Sequence, residues 1–136
     1  TPKIYARLKP WLCVLPVAEP VRLNVNTLLP EQAPLVAMLM PDQITIADAR
    51  AALAARPADG YGSSERFWKS RALERLTPGE AGEQAGVTSR WLTLTTNVTM
   101  GDGFLTAVSL IDANGGAPSA GQASPVIVRR DWGESD

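Results

Sequence analysis

The chain has no histidine and a single cysteine, Cys13. Without histidine there is no Ser-His-Asp or Cys-His arrangement, and no histidine ligand for zinc. One cysteine cannot close an intramolecular disulfide or build a thiolate cluster. Cys13 stands in the apolar run Trp11-Leu12-Cys13-Val14-Leu15 and reads as a small buried hydrophobe rather than a reactive thiol. A Gly-x-x-x-x-Gly-Lys phosphate loop is missing, as is a Gly-x-Gly-x-x-Gly after a strand. No stretch approaches the roughly 20 apolar residues of a membrane span, and no signal peptide is visible. The chain starts at Thr1 without Met, and we expect a trimmed fragment whose targeting or membrane segment lay upstream. A basic surplus is lacking too: 13 Lys and Arg face 14 Asp and Glu, for a net charge of -1. Nucleic-acid binders usually carry such a surplus, because phosphate neutralisation supplies much of their affinity. Paired carboxylates meet in space rather than in sequence, but most acids here fall in polar turns. The expectation is a binding domain, not an enzyme, with no cofactor.

What is present suits one compact domain or two small lobes sharing a core. The 136 residues are 45% hydrophobic and 20% charged, and a chain of this size buries about two-thirds of its unfolded surface without disulfide or metal. Trp11 to Leu15 reads as a short buried strand stopped by Pro16. Val21 to Asn26 alternates apolar and polar residues, an extended segment with one face buried. Asn26-Thr27 turns the chain, since both side chains can bond nearby amides. An irregular turn at Pro30 to Ala33 then leads into a helix from Pro34 carrying Leu35, Val36, Leu39 and Met40. Thr45-Ile46-Ala47-Asp48 starts a second, alanine-rich helix over Ile46 to Arg56. Ser63-Ser64 caps a third, through about Leu76, with Trp68, Ala72 and Leu76 as its inward stripe. Thr77 to Gly86 reads as an exposed loop.

The last third changes period. Ser89 to Thr99 is rich in Trp, Leu, Thr and Val, with Leu92 and Leu94 on one face. Gly101-Asp102-Gly103 signals a hairpin, Phe104 to Ile111 a second strand, and Val126 to Arg130 a third, with Trp132-Gly133 closing the ordered part. Asp112 to Pro125 is a Gly/Ala/Ser/Pro loop expected to be mobile. The fold class is α+β: a strand and linker over 1–23, a helical lobe of three short helices over 24–86, and an antiparallel meander over 87–136.

Candidate site residues are few. Asp102, Asp112 and Asp131 lie near strand ends and offer oxygen ligands, which makes calcium the one metal worth testing, although solvated turn residues are the plainer reading. Asn97-Val98-Thr99 matches a glycosylation acceptor, but inside a strand. Arg66, Lys69, Arg71 and Arg75 make the third helix basic. Glu65 and Glu74 interleave, as on a solvated helix face.

Asn24-Val25-Asn26-Thr27 followed by two short helices resembles two families. One is the helix-hairpin-helix DNA-binding group, whose Gly-x-Gly hairpin holds a phosphate on backbone amides. Here the connection Met40-Pro41-Asp42-Gln43-Ile44-Thr45 has no glycine and adds an acid, so the phosphate grip is missing. The other resemblance covers nearly the whole chain. It runs through Tyr5-Ala6-Arg7-Leu8, Leu15-Pro16, Asn24 to Thr27, Ala55-Arg56-Pro57 with Gly60-Tyr61, Ser89-Arg90-Trp91 and Arg129-Arg130-Asp131-Trp132-Gly133. In that order these pieces look like the C-terminal half of the general secretion pathway protein K family, minor pseudopilins of bacterial type II secretion. Leu28, where alanine is usual, and Pro34 depart from the pattern.

The resemblance implies a non-enzymatic subunit at the pseudopilus tip that primes assembly with the minor pseudopilins I and J and engages secreted exoproteins. This portion would lie in the periplasm, with an N-terminal helix in the inner membrane. Asn24, Asn26 and Thr27 would be a structural turn at the start of the lobe, and the meander would complete a pilin-type sheet.

Overall fold

A computed structural model describes residues 2–8, 11, 14–115 and 124–133. The described residues form an α+β arrangement in which a helical lobe feeds a three-stranded antiparallel sheet. The first helix, α1 (Pro2–Leu8), opens with proline at a position where its missing N–H costs nothing. No helix is expected there from the sequence. The buried strand expected over Trp11 to Leu15 is not there: Val14 is 94% exposed and Trp11 41%, and no described strand lies alongside them. Leu12 and Cys13 fall outside the described residues.

The lobe begins with a two-residue strand, β1 (Leu23–Asn24). A 3-10 turn follows at Pro30–Gln32, where the Gln32 side chain reaches back to accept from the Leu29 amide at 2.9 Å. It leads into α2 (Ala33–Ala37). The next helix, α3 (Ile46–Ala54), is capped by Thr45, whose hydroxyl accepts from the Asp48 amide at 3.1 Å and donates to the Asp48 carboxylate at 2.6 Å. It ends two residues before the expected Arg56.

Ser63 caps α4 (Ser64–Trp68) in the same manner, accepting from the Arg66 amide. This helix does not run to Leu76. From Ser70 the chain folds into successive turns, with the Ser70 carbonyl accepting from both Leu73 and Glu74 at 2.8 Å. The reason lies in what is buried. Phe67, Trp68 and Leu73 enter the core, and their spacing does not fit one straight helical stripe.

The expected loop at 77–86 is also corrected. It contains α5 (Ala81–Gln84) and β2 (Ala85–Gly86), and β2 pairs in parallel with β1, with Leu23 opposite Ala85 and Asn24 opposite Gly86. Ala85 and Gly86 are buried. Gly86 is needed for close approach rather than flexibility, since a Cβ there would stand 3.1 Å from the Arg22 side chain. Val25, Leu28, Val36, Ile44, Ala49, Ala52, Leu53, Tyr61 and Phe67 complete one contiguous core.

The sheet is a meander in the order β3 (Trp91–Met100), β4 (Gly103–Asp112), β5 (Val126–Gly133). Gly101, at φ +59°, allows the tight β3–β4 turn. β3 and β4 pair from Trp91–Asp112 to Met100–Gly103 without a slip. β4 and β5 carry a register shift between Leu110 and Ile111. β5 runs on through Trp132 and Gly133. Residues 116–123 of the expected mobile loop lie outside the described residues.

Candidate functional site

Three arrangements stand out: the asparagine turn, the junction between lobe and sheet, and the open faces of the sheet. The turn is built by side chains acting on backbone. The Asn24 carboxamide oxygen accepts from the Asn26 amide at 3.0 Å, and the Thr27 hydroxyl donates to the Asn24 carbonyl at 3.0 Å. Asn26 reaches further. Its Nδ2 donates to the carbonyls of Tyr61 (3.0 Å) and Val87 (3.1 Å), and its Oδ1 accepts from the Tyr61 amide at 2.8 Å. One side chain thus ties together three segments separated by 35 and 61 residues. Gly60 makes room for it: φ is +80°, and a Cβ would lie 3.0 Å from the Asn26 side chain.

The same turn is held from the far side by Arg56. Its Nη1 donates to the carbonyls of Val25 (3.1 Å) and Leu28 (2.8 Å). Below it Tyr61 Oη donates to the Ala52 carbonyl at 2.7 Å, and burial pushes the Tyr61 phenol above its usual pKa. Arg56 and Gly60-Tyr61 appear in the sequence as motif pieces without a role. Here Gly60 and Tyr61 meet the Asn26 side chain, and Arg56 holds the backbone on either side of it.

The junction carries the second group of motif residues. Asn24 Nδ2 donates to the Ser89 hydroxyl at 2.8 Å. Arg90 grips Asp112 with two bonds, Nε to Oδ1 at 2.9 Å and Nη2 to Oδ2 at 2.8 Å. Arg90 also lies over the Trp91 ring at 5.3 Å from its centroid. The hydrogen bonds from Arg90 hold the Asp112 carboxyl below the usual carboxylate range. The pairing of Arg90 with Asp112, 22 residues apart, had no signal in the sequence.

The sheet leaves both faces largely uncovered. On one, Leu92, Leu94, Val98, Leu105, Ile127 and Trp132 alternate into a continuous apolar surface, each between 43 and 62% exposed. Arg130 crosses this face, donating to Ser109 at 3.1 Å and lying over the Trp132 ring at 5.5 Å. A shallow apolar groove of about 450 Å³ lies elsewhere, between α1 and α2, lined by Ile4, Leu8, Trp11, Leu35 and Met38 among others.

The three acids proposed for calcium do not meet. Asp102 sits in the hairpin turn and Asp112 at the other end of β4, a separation of about 30 Å at the usual strand rise. Asp112 is taken by Arg90, and Asp131 pairs with Arg129 at 2.9 Å. Among the described residues no three acids or thiols gather as metal ligands. Asn97 Oδ1 accepts from Thr106 within the sheet at 2.9 Å. On the basic helix Lys69 is paired with Glu65 one turn away. At the helix connection, the Gln43 and Ile44 amides both donate back to the Met40 carbonyl, at 3.0 and 2.9 Å, and so are not free to hold a phosphate.

Comparison with known proteins identifies the surroundings of such a chain. A family model described as type II secretion system (T2SS), protein K, matches residues 23–88, the span from β1 to the lobe's end. The type II secretion system protein K of Klebsiella pneumoniae is 36% identical over 112 residues, 82% of this chain and 34% of that protein. Its counterpart in Pectobacterium carotovorum subsp. carotovorum is 30% identical over the same length, with the same coverage. The crystal structure of the GspK-GspI-GspJ complex from the enterotoxigenic Escherichia coli type 2 secretion system matches with a TM-score of 0.72 and 27% identity, over 98% of this chain and 44% of that one. The fold and these matches place the chain among the proteins of bacterial type II secretion systems. More narrowly, the chain belongs to the type II secretion system protein K family. It spans about a third of the length of the curated relatives it matches.

Proposed function

We propose that this chain is the lobe-and-meander portion of a minor pseudopilin. In this reading the longer protein sits at the tip of the type II secretion pseudopilus, assembles there with the I and J minor pseudopilins, and primes fibre growth. It acts in the periplasm, held to the inner membrane by a helix outside this chain, and it presents surface to secreted exoproteins. Its side chains build shape and contact area in this reading, and the polar groups described above are engaged in holding the backbone together. The observation that carries the reading is the solved GspK chain, seen in complex with GspI and GspJ, which overlays 98% of this chain at 27% identity. The open apolar sheet face supports it. Soluble proteins rarely leave so large an apolar surface bare unless another element covers it. The lobe adds bulk beside the sheet, and bulk at a filament end is a physical way to stop further subunits adding above it.

The test is reconstitution. The longer protein, lacking only its membrane helix, is mixed with the soluble I–J pair and run by size exclusion with light scattering. A complex holding one copy of each is expected. Separate elution at about 10 μM of each component, with every component folded, would refute the proposal.

A further inference from the structure

The lobe closes on itself before the sheet begins. Its core draws on residues from Leu23 to Val87 and, among the described residues, on none from the sheet. Val87 is the lobe's last anchor: its side chain packs against that core and its carbonyl accepts from Asn26. Arg90 is the sheet's first anchor, its carbonyl accepting from the Ala113 amide at 2.8 Å and its side chain holding Asp112. Thr88 and Ser89 alone lie between the two. Both are exposed, and among the described residues neither takes part in a backbone hydrogen bond. Beside them lies an open cleft of about 220 Å³, lined by Glu19 and Arg22 from the chain entering the lobe and by Arg90 and Asn114 from the sheet's end. Two exposed contacts brace this neck. Asn24 Nδ2 donates to the Ser89 hydroxyl at 2.8 Å, and Arg90 Nη1 stands 3.9 Å from Glu19, whose side chain is 81% exposed. Exposed ion pairs of this kind are weak. Bodies that share no core turn about a short link whose backbone is free.

We propose that Thr88-Ser89 is a hinge about which the lobe and the sheet turn as rigid bodies, and that the Glu19–Arg90 and Asn24–Ser89 contacts are the latch that holds the pose described above. Opening or closing the cleft changes backbone angles at two residues. It leaves the three Asn26 bonds inside the lobe and the unbroken β3–β4 ladder inside the sheet as they are. The latch is side chain on side chain at the surface, so releasing it exposes no core. One consequence rests on the functional reading above: the lobe can change its pose while the sheet stays engaged with neighbouring subunits.

Distances between paired spin labels test this on the longer protein, without its membrane helix and with its native cysteines replaced. Labels at Glu74→Cys in the lobe and Thr99→Cys in the sheet read the pose. Asp42→Cys with Glu74→Cys reads the lobe alone, and Thr93→Cys with Thr99→Cys the sheet alone. When Glu19→Ala and Ser89→Ala release the latch, the lobe–sheet distance distribution should become about twice as wide as either control, with both controls unchanged. A lobe–sheet distribution that stays as narrow as the controls in the released variant overturns the hinge. Controls that widen together with it also overturn the proposal, because the two bodies are then not rigid. Co-elution with the I–J pair is scored separately, so a stiff neck in an assembled complex sinks the hinge and leaves the functional reading standing.

Discussion

Replacing Asn26 with alanine removes three hydrogen bonds at one stroke, two given to carbonyls and one received from an amide. Each is worth about 1 kcal/mol net, and a partner left without water or protein costs more. The sum is about 3–4 kcal/mol, against the roughly 5–15 kcal/mol that holds a domain of this kind together. At this chain length that corresponds to a fall in melting temperature of about 10–15 °C. Urea unfolding followed by circular dichroism and by tryptophan fluorescence measures it directly. Asn26→Asp is the sharper control. It keeps the oxygen that accepts from Tyr61 but turns carboxylate oxygen toward the carbonyls of Tyr61 and Val87, so it should be at least as damaging as alanine. A loss under about 1 kcal/mol for Asn26→Ala, or an aspartate variant close to wild type, would refute the account of this side chain as the tie between three segments.

Gly60→Ala should cost about 2 kcal/mol or more in the same assay, because the left-handed backbone and the Asn26 contact act together. Arg56→Ala should lose about 2 kcal/mol by uncovering the Val25 and Leu28 carbonyls, and Arg56→Lys should recover only part of it, since the lysine stem is one bond shorter and its ammonium does not reach the place of Nη1. The lowered carboxyl of Asp112 means its contact with Arg90 stabilises the folded chain above about pH 4 and is lost as pH falls through the lowered value. Asp112→Asn should therefore flatten the acid limb of a plot of unfolding midpoint against pH, and an unchanged limb counts against the pairing. Leu94→Lys should change the stability of this chain by less than about 0.5 kcal/mol, because the face it lies on is open, and a loss above 2 kcal/mol would show that something here covers it.

What the sequence announces is local. Thr45 and Ser63 declare their helix starts because a cap needs only the amide three residues on. Pro30 and Pro34 mark the irregular start of the first lobe helix, and Gly101 to Gly103 the hairpin. Contacts made at a distance leave no such trace. The pairing of β2 with β1 joins residues about 60 positions apart, and Ala85-Gly86 resembles loop composition until a neighbouring backbone is seen to need the space. Arg56, Tyr61 and Arg90 are visible as motif letters, but their hydrogen-bond partners are backbone atoms or a distant carboxylate. The alternation of Leu92 and Leu94 states that they share a face. It does not state whether anything covers that face, because a period of two is the same for covered and uncovered sheets. The short buried strand at Trp11 to Leu15 fails for a related reason: apolar composition gives burial only where a neighbouring element provides it.

The bond between Asn24 and Ser89 closes a ring. The chain departs for the helices at one residue and returns at the other, and the two stand side by side with β1 and β2 hydrogen-bonded next to them. A loop of more than sixty residues is thereby pinched at its neck. Whatever is strung on it can be lengthened, shortened or exchanged while the two ends stay where they are, and the sheet beyond Ser89 need not register the change.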